Sequence, residues 1–453
     1  MAILANYPAL PIADVAARFP DQLAFVDAHH QLRYGEIAEA IAKSPILQAD
    51  DLQAGDHVAW CPANDLDAFV SFWALLAKGC VACPVSHRYP PKKLAEILVE
   101  MDARWFDGAS VNPAANHCPQ QRIRATELSS PPATLILTSG STGMPKSVVH
   151  SVAAHVASAT GAAVNIPLSP GDRWLWSLPL CHVSGMSILF RCATAAATVV
   201  GVPTGASPTA QRLEQQRITH LSAVSVQLQR LMADDSFPTS HLRFILLGGG
   251  SVDETLVAAT RARGISLSTT YGLTEMASQV TTSDTDGAPF ASGRVLPGRN
   301  VRIDDSGEIQ VKGDSLFLGY YRNDAITPSV DEQGWFHTGD LGEWSDDQEL
   351  IVHGRIDNMF VSGGENIHPE SIESAMMKHL SIQQVIVVPQ FCKTYGQRPV
   401  AFVQGELPDD WQNTLRKHLR GYEIPVEIRP WPAAAEGAIK ANRAQLKTLA
   451  IPK

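Results

Sequence analysis

The chain has 453 residues, which is long for a single hydrophobic core and predicts two or three domains. Apolar residues make up 45% of it and charged residues 18%, which are the proportions of an ordinary globular protein. The 36 basic and 46 acidic residues give a formal net charge of −10, which argues against a nucleic-acid-binding face.

The first residues lack the basic start and the continuous apolar core of a signal peptide. A charge-free run at 192–211 contains two prolines and two glycines, so it is too weakly apolar to span a bilayer. We therefore expect a cytoplasmic protein with no membrane span. Cys80 and Cys83 form a lone C-x-x-C in an apolar stretch, which predicts buried thiols in a strand rather than a zinc site.

Helical and strand-like patterns alternate over the first part of the chain. Residues 65–77 have helical spacing and open with acidic residues, and residues 81–85 read as a short strand. The alternation continues to about residue 280, with a strand at 243–247 followed by Gly248, Gly249 and Gly250. This pattern is typical of layered α/β architecture.

A Gly/Ser/Thr-rich loop follows an apolar strand at 135–137 and ends in a lysine. Its residues are Thr138, Ser139, Gly140, Ser141, Thr142, Gly143, Met144, Pro145 and Lys146. Small residues let backbone N–H groups approach a polyanion, hydroxyls add donors, and the lysine adds a full charge. The loop therefore predicts a phosphate-binding site; a flexible linker would need neither the flanking strands nor the lysine.

The same loop differs from a Walker loop in two respects. Pro145 stands where the second glycine is required, and proline has no N–H to offer a phosphate. Residues 147–150 are strand-like, whereas a Walker loop needs the start of a helix there. We therefore exclude the P-loop NTPase fold and keep phosphate binding.

Residues 271–275 combine an aromatic ring, a glycine bend, a hydroxyl and a carboxylate, in Tyr271, Gly272, Leu273, Thr274 and Glu275. Such a set suits a nucleotide site, with a stacking ring, a phosphate donor and a Mg²⁺ ligand. A turn into a helix is the alternative interpretation.

Short alternating strands separated by Gly or Asp turns begin at about residue 290, at 301–303, 308–312 and 350–353. They predict a small β-rich subdomain over about 290–354. Within it Asp340 stands beside a glycine and could accept hydrogen bonds from vicinal ribose hydroxyls, or could cap a helix or turn.

The pattern changes again after Gly354, which predicts a hinge before a last unit. That unit, 355–453, holds a helix from Pro369, strands at 384–388 and 400–403, and a helix from Pro408. Gly363 and Gly364 would let a thin substrate pass close to the backbone. Lys440, near the end, would by itself be read as a solvated charge.

Together, in this order and spacing, the motifs resemble those of the AMP-forming acyl-CoA synthetases, also called adenylate-forming enzymes. The resemblance covers essentially the whole chain. It implies a large N-terminal domain of layered α/β subdomains with the β-rich one, 1–354, and a small mobile α+β C-terminal domain, 355–453. It also implies that a carboxylate attacks the α-phosphate of ATP, and that the thiol of CoA then displaces AMP.

The resemblance also implies roles for individual residues. The loop from Thr138 to Lys146 would hold the β- and γ-phosphates, Thr142 and Glu275 would bind Mg²⁺, and Asp340 and Arg355 would hold the ribose. Gly248, Gly249, Gly250, Tyr271, Gly272 and Thr274 would line the nucleotide site. Lys440 would bridge the carboxylate and the α-phosphate in the first step only. Asp357 would be the hinge, and Gly363 and Gly364 would line the pantetheine tunnel after the domain rotates.

Within the family, the segment 178–185, Arg191 and the segment 362–370 resemble the subfamily of ligases that act on 2-succinylbenzoate in menaquinone synthesis. This implies that His182, Ser184 and Arg191 line the acid pocket. Cys181 stands where these ligases usually carry a phenylalanine, which changes the pocket shape.

Arg191 supplies a physical argument for the substrate. It lies in an otherwise apolar stretch, where an unpaired guanidinium would be costly, and a carboxylate is its natural bidentate partner. One carboxylate of 2-succinylbenzoate is activated, so the other is free to meet this arginine. The alternatives are that Arg191 reaches solvent or pairs with an acidic residue of the protein.

Three other functions stay open at this point. Halobenzoate–CoA ligases share the 362–367 signature, and their substrate has no second anion. The chain could also adenylate an acid for a carrier protein, or bind adenylates without catalysis, although Lys146, Glu275, Asp340 and Lys440 are all present. We expect small-molecule partners, no nucleic acid, and leave a homo-oligomer open.

Overall fold

The computed structural model describes residues 10–112, 130–138, 145–203, 206–237, 240–250, 253–380, 382–432 and 443–450. Its helices are α1 (Pro11–Arg18), α2 (Tyr34–Ala42), α3 (Pro45–Gln48), α4 (Leu66–Lys78), α5 (Pro91–Glu100), α6 (Val152–Ala162), α7 (Val183–Ala195), α8 (Ala210–Gln215), α9 (Ser225–Met232), α10 (Glu254–Ala262), α11 (Pro369–His379), α12 (Trp411–Leu415) and α13 (Arg443–Leu449).

Its strands are β1 (Leu23–Val26), β2 (Gln31–Arg33), β3 (His57–Trp60), β4 (Val81–Pro84), β5 (Ala103–Phe106), β6 (Val111–Asn112), β7 (Thr134–Thr138), β8 (Lys146–His150), β9 (Arg173–Trp176), β10 (Thr198–Gly201), β11 (His220–Ala223), β12 (Phe244–Gly248), β13 (Ser266–Leu273), β14 (Ser278–Thr282), β15 (Arg294–Val295), β16 (Arg299–Ile303), β17 (Glu308–Gly313), β18 (Gly319–Arg322), β19 (Ala325–Thr327), β20 (Phe336–Trp344), β21 (Leu350–Arg355), β22 (Phe360–Ser362), β23 (Glu365–Ile367), β24 (Gln384–Cys392), β25 (Gly396–Gln404) and β26 (Glu427–Pro430).

Two large mixed sheets organise the first part of the chain. In the described residues one has nine strands in the order β15-β14-β13-β12-β11-β9-β10-β1-β2, and the other has eight in the order β19-β18-β8-β7-β4-β3-β5-β6. The central pairs are parallel, for example β12 with β13 and β3 with β4, and the edge pairs are antiparallel. Helices cover parallel strands in such sheets, which confirms the predicted layered α/β architecture.

Helix α4 illustrates how local sequence sets the element boundaries. The Asp65 side chain accepts a hydrogen bond from the backbone N–H of Ala68 at the N-terminus, and Gly79 ends the helix with a φ of 77°. Phe72 and Trp73 are fully buried in the largest core cluster, which also contains residues from strands of both large sheets. The predicted helix, 65–77, is confirmed to within one residue at each end.

The β-rich region departs from its prediction in one respect. Strands β16, β17, β20 and β21 form a four-stranded antiparallel sheet, as expected. However, β18 and β19 leave that region and extend the eight-stranded sheet, with Tyr320 opposite Val148. Strand β8 would otherwise be an open edge, and β18 satisfies its backbone hydrogen-bonding groups.

The last unit has its own sheet, in the order β23-β22-β25-β24, with β26 parallel to β25. Phe360, Ile367 and Met376 belong to a separate core cluster. Helix α11 begins at Pro369 as predicted, because proline is tolerated in the first helical turn. The helix predicted from Pro408 begins at Trp411 instead, since the carbonyl of Pro408 first closes a turn with the N–H of Trp411.

Cys80 and Cys83 are buried, and Cys83 lies in β4, which confirms the prediction of buried thiols. Within the described ranges, no group of three or more metal-ligating side chains is found. No helix in the part of the chain that the structure describes is long and apolar enough to cross a membrane.

Candidate active site

The Gly/Ser/Thr-rich loop joins two antiparallel strands of a hairpin. Thr138 ends β7 and Lys146 begins β8, and the two residues are directly paired. The chain after Lys146 is therefore a strand, which confirms the exclusion of a Walker loop. Ser139, Gly140, Ser141, Thr142 and Gly143 lie outside the described residues.

Lys146 and Glu275 are joined through an aromatic ring that the sequence analysis did not identify. The Lys146 Nζ lies 5.1 Å from the centre of the Tyr320 ring, and the Tyr320 hydroxyl donates to Glu275 Oε1 over 2.7 Å. Burial, followed by the charge of Glu275, raises the pKa of Tyr320, so the hydroxyl keeps its proton and stays a donor. The structure thus brings together two predicted site residues from different motifs.

Residues 274–276 form a short 3₁₀ turn after β13 rather than the start of an α-helix. The Nε2 atom of buried His150 lies 2.8 Å from the carbonyl oxygen of Thr274, so Nε2 carries the proton. The backbone N–H of Phe317 donates to the carbonyl of Glu275 over 2.8 Å. These two bonds fix the backbone that carries the Glu275 carboxylate.

Asp340 lies in β20 between two partners. The Tyr271 hydroxyl donates to Asp340 Oδ2 over 2.6 Å, and Arg355 Nη1 donates to Asp340 Oδ1 over 3.0 Å. Asp340 and Arg355 are opposite each other in the β20–β21 pair, so Asp340 is not a helix or turn cap. Burial raises the pKa of the Asp340 carboxyl, while the bond from Tyr271 and the charge of Arg355 act in the opposite direction.

Arg355 also reaches the predicted hinge. Its Nε donates to Asp357 Oδ1 over 2.8 Å, and its Nη2 lies 3.4 Å from Asp357 Oδ2. Both side chains are about half exposed, so the pair itself adds little to stability. One guanidinium therefore contacts Asp340 and Asp357 at the same time.

Two of the predicted glycines make close backbone approaches. A Cβ on Gly272 would lie 2.1 Å from the carbonyl oxygen of Ser278, and one on Gly248 would lie 2.6 Å from Thr270 Cγ2. Gly249 has a φ of 85°, and a Cβ on Gly250 would meet nothing within 4 Å. A larger residue at Gly272 would force β13 away from β14.

Arg191 is buried in α7 and has a neutral partner. Its Nη2 donates to Gln279 Oε1 over 2.6 Å and lies 3.3 Å from Ser278 Oγ, and its guanidinium lies 5.3 Å from the centre of the Trp174 ring. Only 5% of its surface is exposed. Its Nε is buried without a hydrogen-bond partner within the described part of the chain.

Neither alternative for Arg191 is found among the described residues. The side chain does not reach solvent, and none of the described carboxylates lies within ion-pair distance of it. Ser278 and Gln279 are paired with Leu273 and Gly272. The guanidinium thus approaches the strand beside the Tyr271–Glu275 motif.

His182 and Ser184 lie at the start of α7. His182 immediately precedes the helix and is exposed, while Ser184 is half-buried and is about 10 Å along the helix from Arg191. A Cβ on Gly185 would lie 2.1 Å from the carbonyl oxygen of Pro179, so the segment before the helix packs tightly against it. Cys181 is buried, and burial raises the pKa of its thiol to about 11.

Gly363 and Gly364 form the turn between β22 and β23, with φ values of 60° and 93°. The Cβ of a side chain at Gly363 would lie 3.1 Å from Tyr395 Cδ1. Gly364 lines a cavity of about 890 Å³ together with His368, Lys378 and Glu254. Lys440 lies outside the described residues.

The comparison with protein families gives one clear match. A family model described as AMP-binding enzyme matches residues 12–124 and 104–321. The 2-succinylbenzoate–CoA ligase of Haemophilus influenzae is 34% identical over 414 residues, which cover 88% of this chain and 88% of that protein.

Solved structures show the same similarity. An arginine-to-lysine variant of E. coli MenE with bound OSB-AMS has a TM-score of 0.83 and 30% identity, and the match covers 97% of each chain. O-succinylbenzoate coenzyme A synthetase from Bacillus subtilis, in complex with ATP and magnesium ion, has a TM-score of 0.82 and 25% identity. That match covers 96% of this chain and 99% of the other.

Proposed function

The chain belongs to the family of AMP-binding enzymes, and from this premise we propose that it is a 2-succinylbenzoate–CoA ligase of menaquinone biosynthesis. It is an AMP-forming acid–CoA ligase that uses ATP, Mg²⁺ and CoA. The observation that carries the choice of acid is the buried Arg191, which has no carboxylate partner among the described residues and lies beside the Tyr271–Glu275 motif.

The reaction has two steps that balance without any further reactant. An oxygen of the acid attacks the α-phosphorus of ATP, and the bond to pyrophosphate breaks to leave an acyl-adenylate. The sulfur of CoA then attacks the acyl carbon, AMP leaves, and the thiol proton is released. Both reactants of the first step are anions, so catalysis depends on positioning and on positive charge at the phosphates.

The ribose contacts are assigned to Asp340 and Arg355. Their support is geometric: Tyr271 and Arg355 hold the Asp340 carboxylate from two sides, which leaves it oriented as an acceptor for vicinal hydroxyls. Gly248, Gly249 and Gly250 are assigned to the adenine slot with Tyr271, Gly272 and Thr274. The open space around Gly250 supports room for a ligand there, since a Cβ at this position would meet nothing within 4 Å.

The phosphates are assigned to the loop from Thr138 to Lys146. Lys146 is exposed at the loop's end and lies over Tyr320, which aligns it with Glu275. Glu275, with Thr142, is assigned to Mg²⁺, because this ion takes one or two carboxylates and completes its shell with phosphate oxygens and water. The bound ion supplies charge neutralisation at the phosphates.

The remaining roles concern the acid and the domain movement. Arg191, with His182 and Ser184, is assigned to the acid pocket, and Lys440 to the carboxylate and α-phosphate in the first step. The division at 354/355, the hinge at Asp357 and the approach of Gly363 and Gly364 to pantetheine are proposals of the same kind. The separate core cluster of the last unit supports the division. A cytoplasmic location stays a prediction, and a homo-oligomer stays open.

The competing aryl-acid and carrier-protein functions lack such support. A benzoate or halobenzoate has no second anion, so Arg191 would remain buried without a counter-ion in the complex. A carrier protein would replace free CoA in the second step, and the Haemophilus influenzae relative carries the name of a CoA ligase.

A pyrophosphate-release assay over 2-succinylbenzoate, benzoates, halobenzoates and fatty acids, with and without CoA, tests the proposal. We expect ATP-dependent pyrophosphate release that is highest with 2-succinylbenzoate and that yields thioester when CoA is present. Highest turnover with a monocarboxylic benzoate would support the aryl-CoA alternative. Adenylation without use of free CoA would support the carrier-protein alternative.

A further inference from the structure

Two buried arginines meet at Gln279 in β14. Arg191 Nη2 donates to the side-chain oxygen of Gln279, and Arg299 Nε donates to the backbone oxygen of the same residue, each over 2.6 Å. Both arginines are at most 6% exposed. Gln279 itself is 1% exposed. Of these three residues, only Arg191 was predicted from the sequence to belong to the site.

The hydrogen bonds of the two guanidinium groups differ. Arg299 also donates to the carbonyl oxygens of Pro297 and Ser158, over 2.8 Å and 3.1 Å, so each of its nitrogens has an oxygen partner. Arg191 is bonded through Nη2 alone, and its Nε is buried without a partner among the described residues. Every guanidinium nitrogen of Arg299 thus has a hydrogen-bond partner, whereas Arg191 keeps at least one N–H donor without a partner among the described residues.

The orientation of the Gln279 amide follows from its neighbours. A guanidinium has no acceptor, so the amide atom that faces Arg191 must be the oxygen. The amide nitrogen donates to Thr282 Oγ1 over 2.7 Å on the other side. Gln279 therefore holds Arg191 in place with a neutral oxygen and leaves its charge uncompensated.

A glutamine at position 279 leaves the buried charge of Arg191 without a counter-ion, which destabilises the protein unless an anion binds. Burial, followed by the charge of Arg299, lowers the pKa of Arg191 to about 9, so the side chain is still charged at neutral pH. A glutamate has the shape of glutamine and would give this charge a counter-ion within hydrogen-bond distance. A buried charge without such a partner is destabilising, and an incoming carboxylate removes that cost.

We propose that Gln279 is a positioning residue that determines specificity: it fixes the Arg191 guanidinium while reserving its charge for the second carboxylate of the acid. The inference rests on the proposed function, because it requires a substrate with two carboxylates. Discrimination between acids then depends also on Gln279 in β14, whereas Arg191 lies in α7. Arg299 contributes by fixing the backbone of Gln279.

The test compares Gln279→Glu with Gln279→Met. The substrates are 2-succinylbenzoate and the two analogues that each lack one carboxylate, 3-benzoylpropionate and 2-propionylbenzoate. The glutamate variant supplies an internal counter-ion, so its KM for 2-succinylbenzoate should rise by about 30-fold or more. Its KM for whichever analogue the wild type uses should change by less than about threefold, and its Tm should rise because the arginine is neutralised.

The methionine variant keeps the size of the side chain but removes the acceptor. Its Tm should fall, and its KM for 2-succinylbenzoate should rise with little change for the analogues, since the charge of Arg191 is misplaced but not neutralised. The preference for the dicarboxylate over the analogue should therefore fall, but by less than in the glutamate variant. This arm decides the question even if the glutamate variant does not fold.

Two results would overturn the inference: an unchanged KM for 2-succinylbenzoate in the glutamate variant, or an equal loss for all acids in it. An unchanged preference for the dicarboxylate in the methionine variant would also do so, because Gln279 would then not position the Arg191 guanidinium. Failure of the wild type to use 2-succinylbenzoate would instead contradict the proposed function. The two failures are therefore distinguishable.

Discussion

The Tyr271 hydroxyl donates a 2.6 Å hydrogen bond to Asp340 Oδ2, and this bond joins the nine-stranded sheet to the four-stranded antiparallel sheet. Both residues are largely buried, and Arg355 holds the other oxygen of the carboxylate. The proposed ribose acceptor, Asp340, is thus positioned by two different layers of the fold. Substitutions at this contact should alter nucleotide binding more than stability.

Tyr271→Phe removes the hydroxyl and keeps the ring. We expect the KM for ATP to rise about tenfold, which corresponds to roughly 1.4 kcal/mol for a hydrogen bond to a charged group. Loss of this bond raises the pKa of Asp340 further, because the bond favours the charged carboxylate. The acidic limb of kcat/KM for ATP should therefore move to higher pH. Tyr34→Phe, which removes another buried hydroxyl, should lower the Tm without moving that limb.

Arg191→Ala should raise the KM for 2-succinylbenzoate by about 30- to 1,000-fold, the effect of losing roughly 2–4 kcal/mol of charged hydrogen bonding. Steady-state kinetics with the monocarboxylic analogues should show little change. Arg261 is a suitable control because its guanidinium donates to the carbonyl of Leu267, and its replacement by alanine should reduce stability alone. An equal loss for all acids in the Arg191 variant would contradict its role in binding the second carboxylate.

Lys440→Ala should abolish pyrophosphate release and still convert supplied acyl-adenylate and CoA to thioester. The reason is that the proposed contact of Lys440 with the carboxylate and the α-phosphate exists only in the first step. Lys447→Ala, on the nearby helix α13, should leave both half-reactions unchanged. If the Lys440 variant loses both steps equally, the lysine does not act in one step alone.

Gly364→Leu should slow thioester formation and leave the pyrophosphate-release step close to the wild-type rate. A Cβ at Gly364 would meet nothing within 4 Å, so the change adds no clash at the backbone and its local cost is the strain of a φ of 93°. Gly171→Leu is a matched control, since Gly171 has a φ of 91° and open space around it. The same defect in both variants would indicate backbone strain rather than obstruction of the pantetheine path.

The histidine that fixes the Thr274–Glu275 turn should make stability depend on pH. Burial lowers the pKa of His150 to about 4 from a usual value near 6.5. Between these values the unfolded chain binds a proton that the folded chain does not, so the free energy of unfolding rises with pH in this window. Between about pH 5 and pH 6.5 this amounts to about 2 kcal/mol.

His150→Gln removes that titration. Urea unfolding at several pH values should show a lower stability at neutral pH, but a smaller loss on acidification to about pH 5 than in the wild type. His29→Gln, at an exposed position, should retain the wild-type slope. An unchanged slope in the His150 variant would mean that other groups cause the acid sensitivity.

The sequence predicted those parts of the site that depend on local chemistry. The strand after Lys146 was predictable because 147–150 is rich in β-branched residues, and Pro145 excluded a Walker helix. The helix after Asp65 was predictable from its cap and its apolar spacing. In each case the determining residues lie within a few positions of the element.

The contacts that were missed join distant parts of the chain. Tyr320 meets Glu275 because β18 pairs with β8, and Gln279 meets Arg191 because α7 packs over β14. Neither Tyr320 nor Gln279 belongs to a motif, and periodicity gives no information on which strand becomes a neighbour. Their distance along the chain from the motifs does not identify these two residues, whereas the strand register in the folded sheets does.

The pairing of β18 with β8 also limits how this protein can be divided or recombined. The sequence pattern changes near residue 290, so this is where one would divide the chain. A division there would remove the strand that covers β8 and leave an aggregation-prone edge on the N-terminal fragment. A chimera that exchanges the β-rich region with a relative would need a donor whose 319–322 segment fits the acceptor's 146–150 segment. The exchangeable unit is therefore defined by strand register rather than by position along the chain.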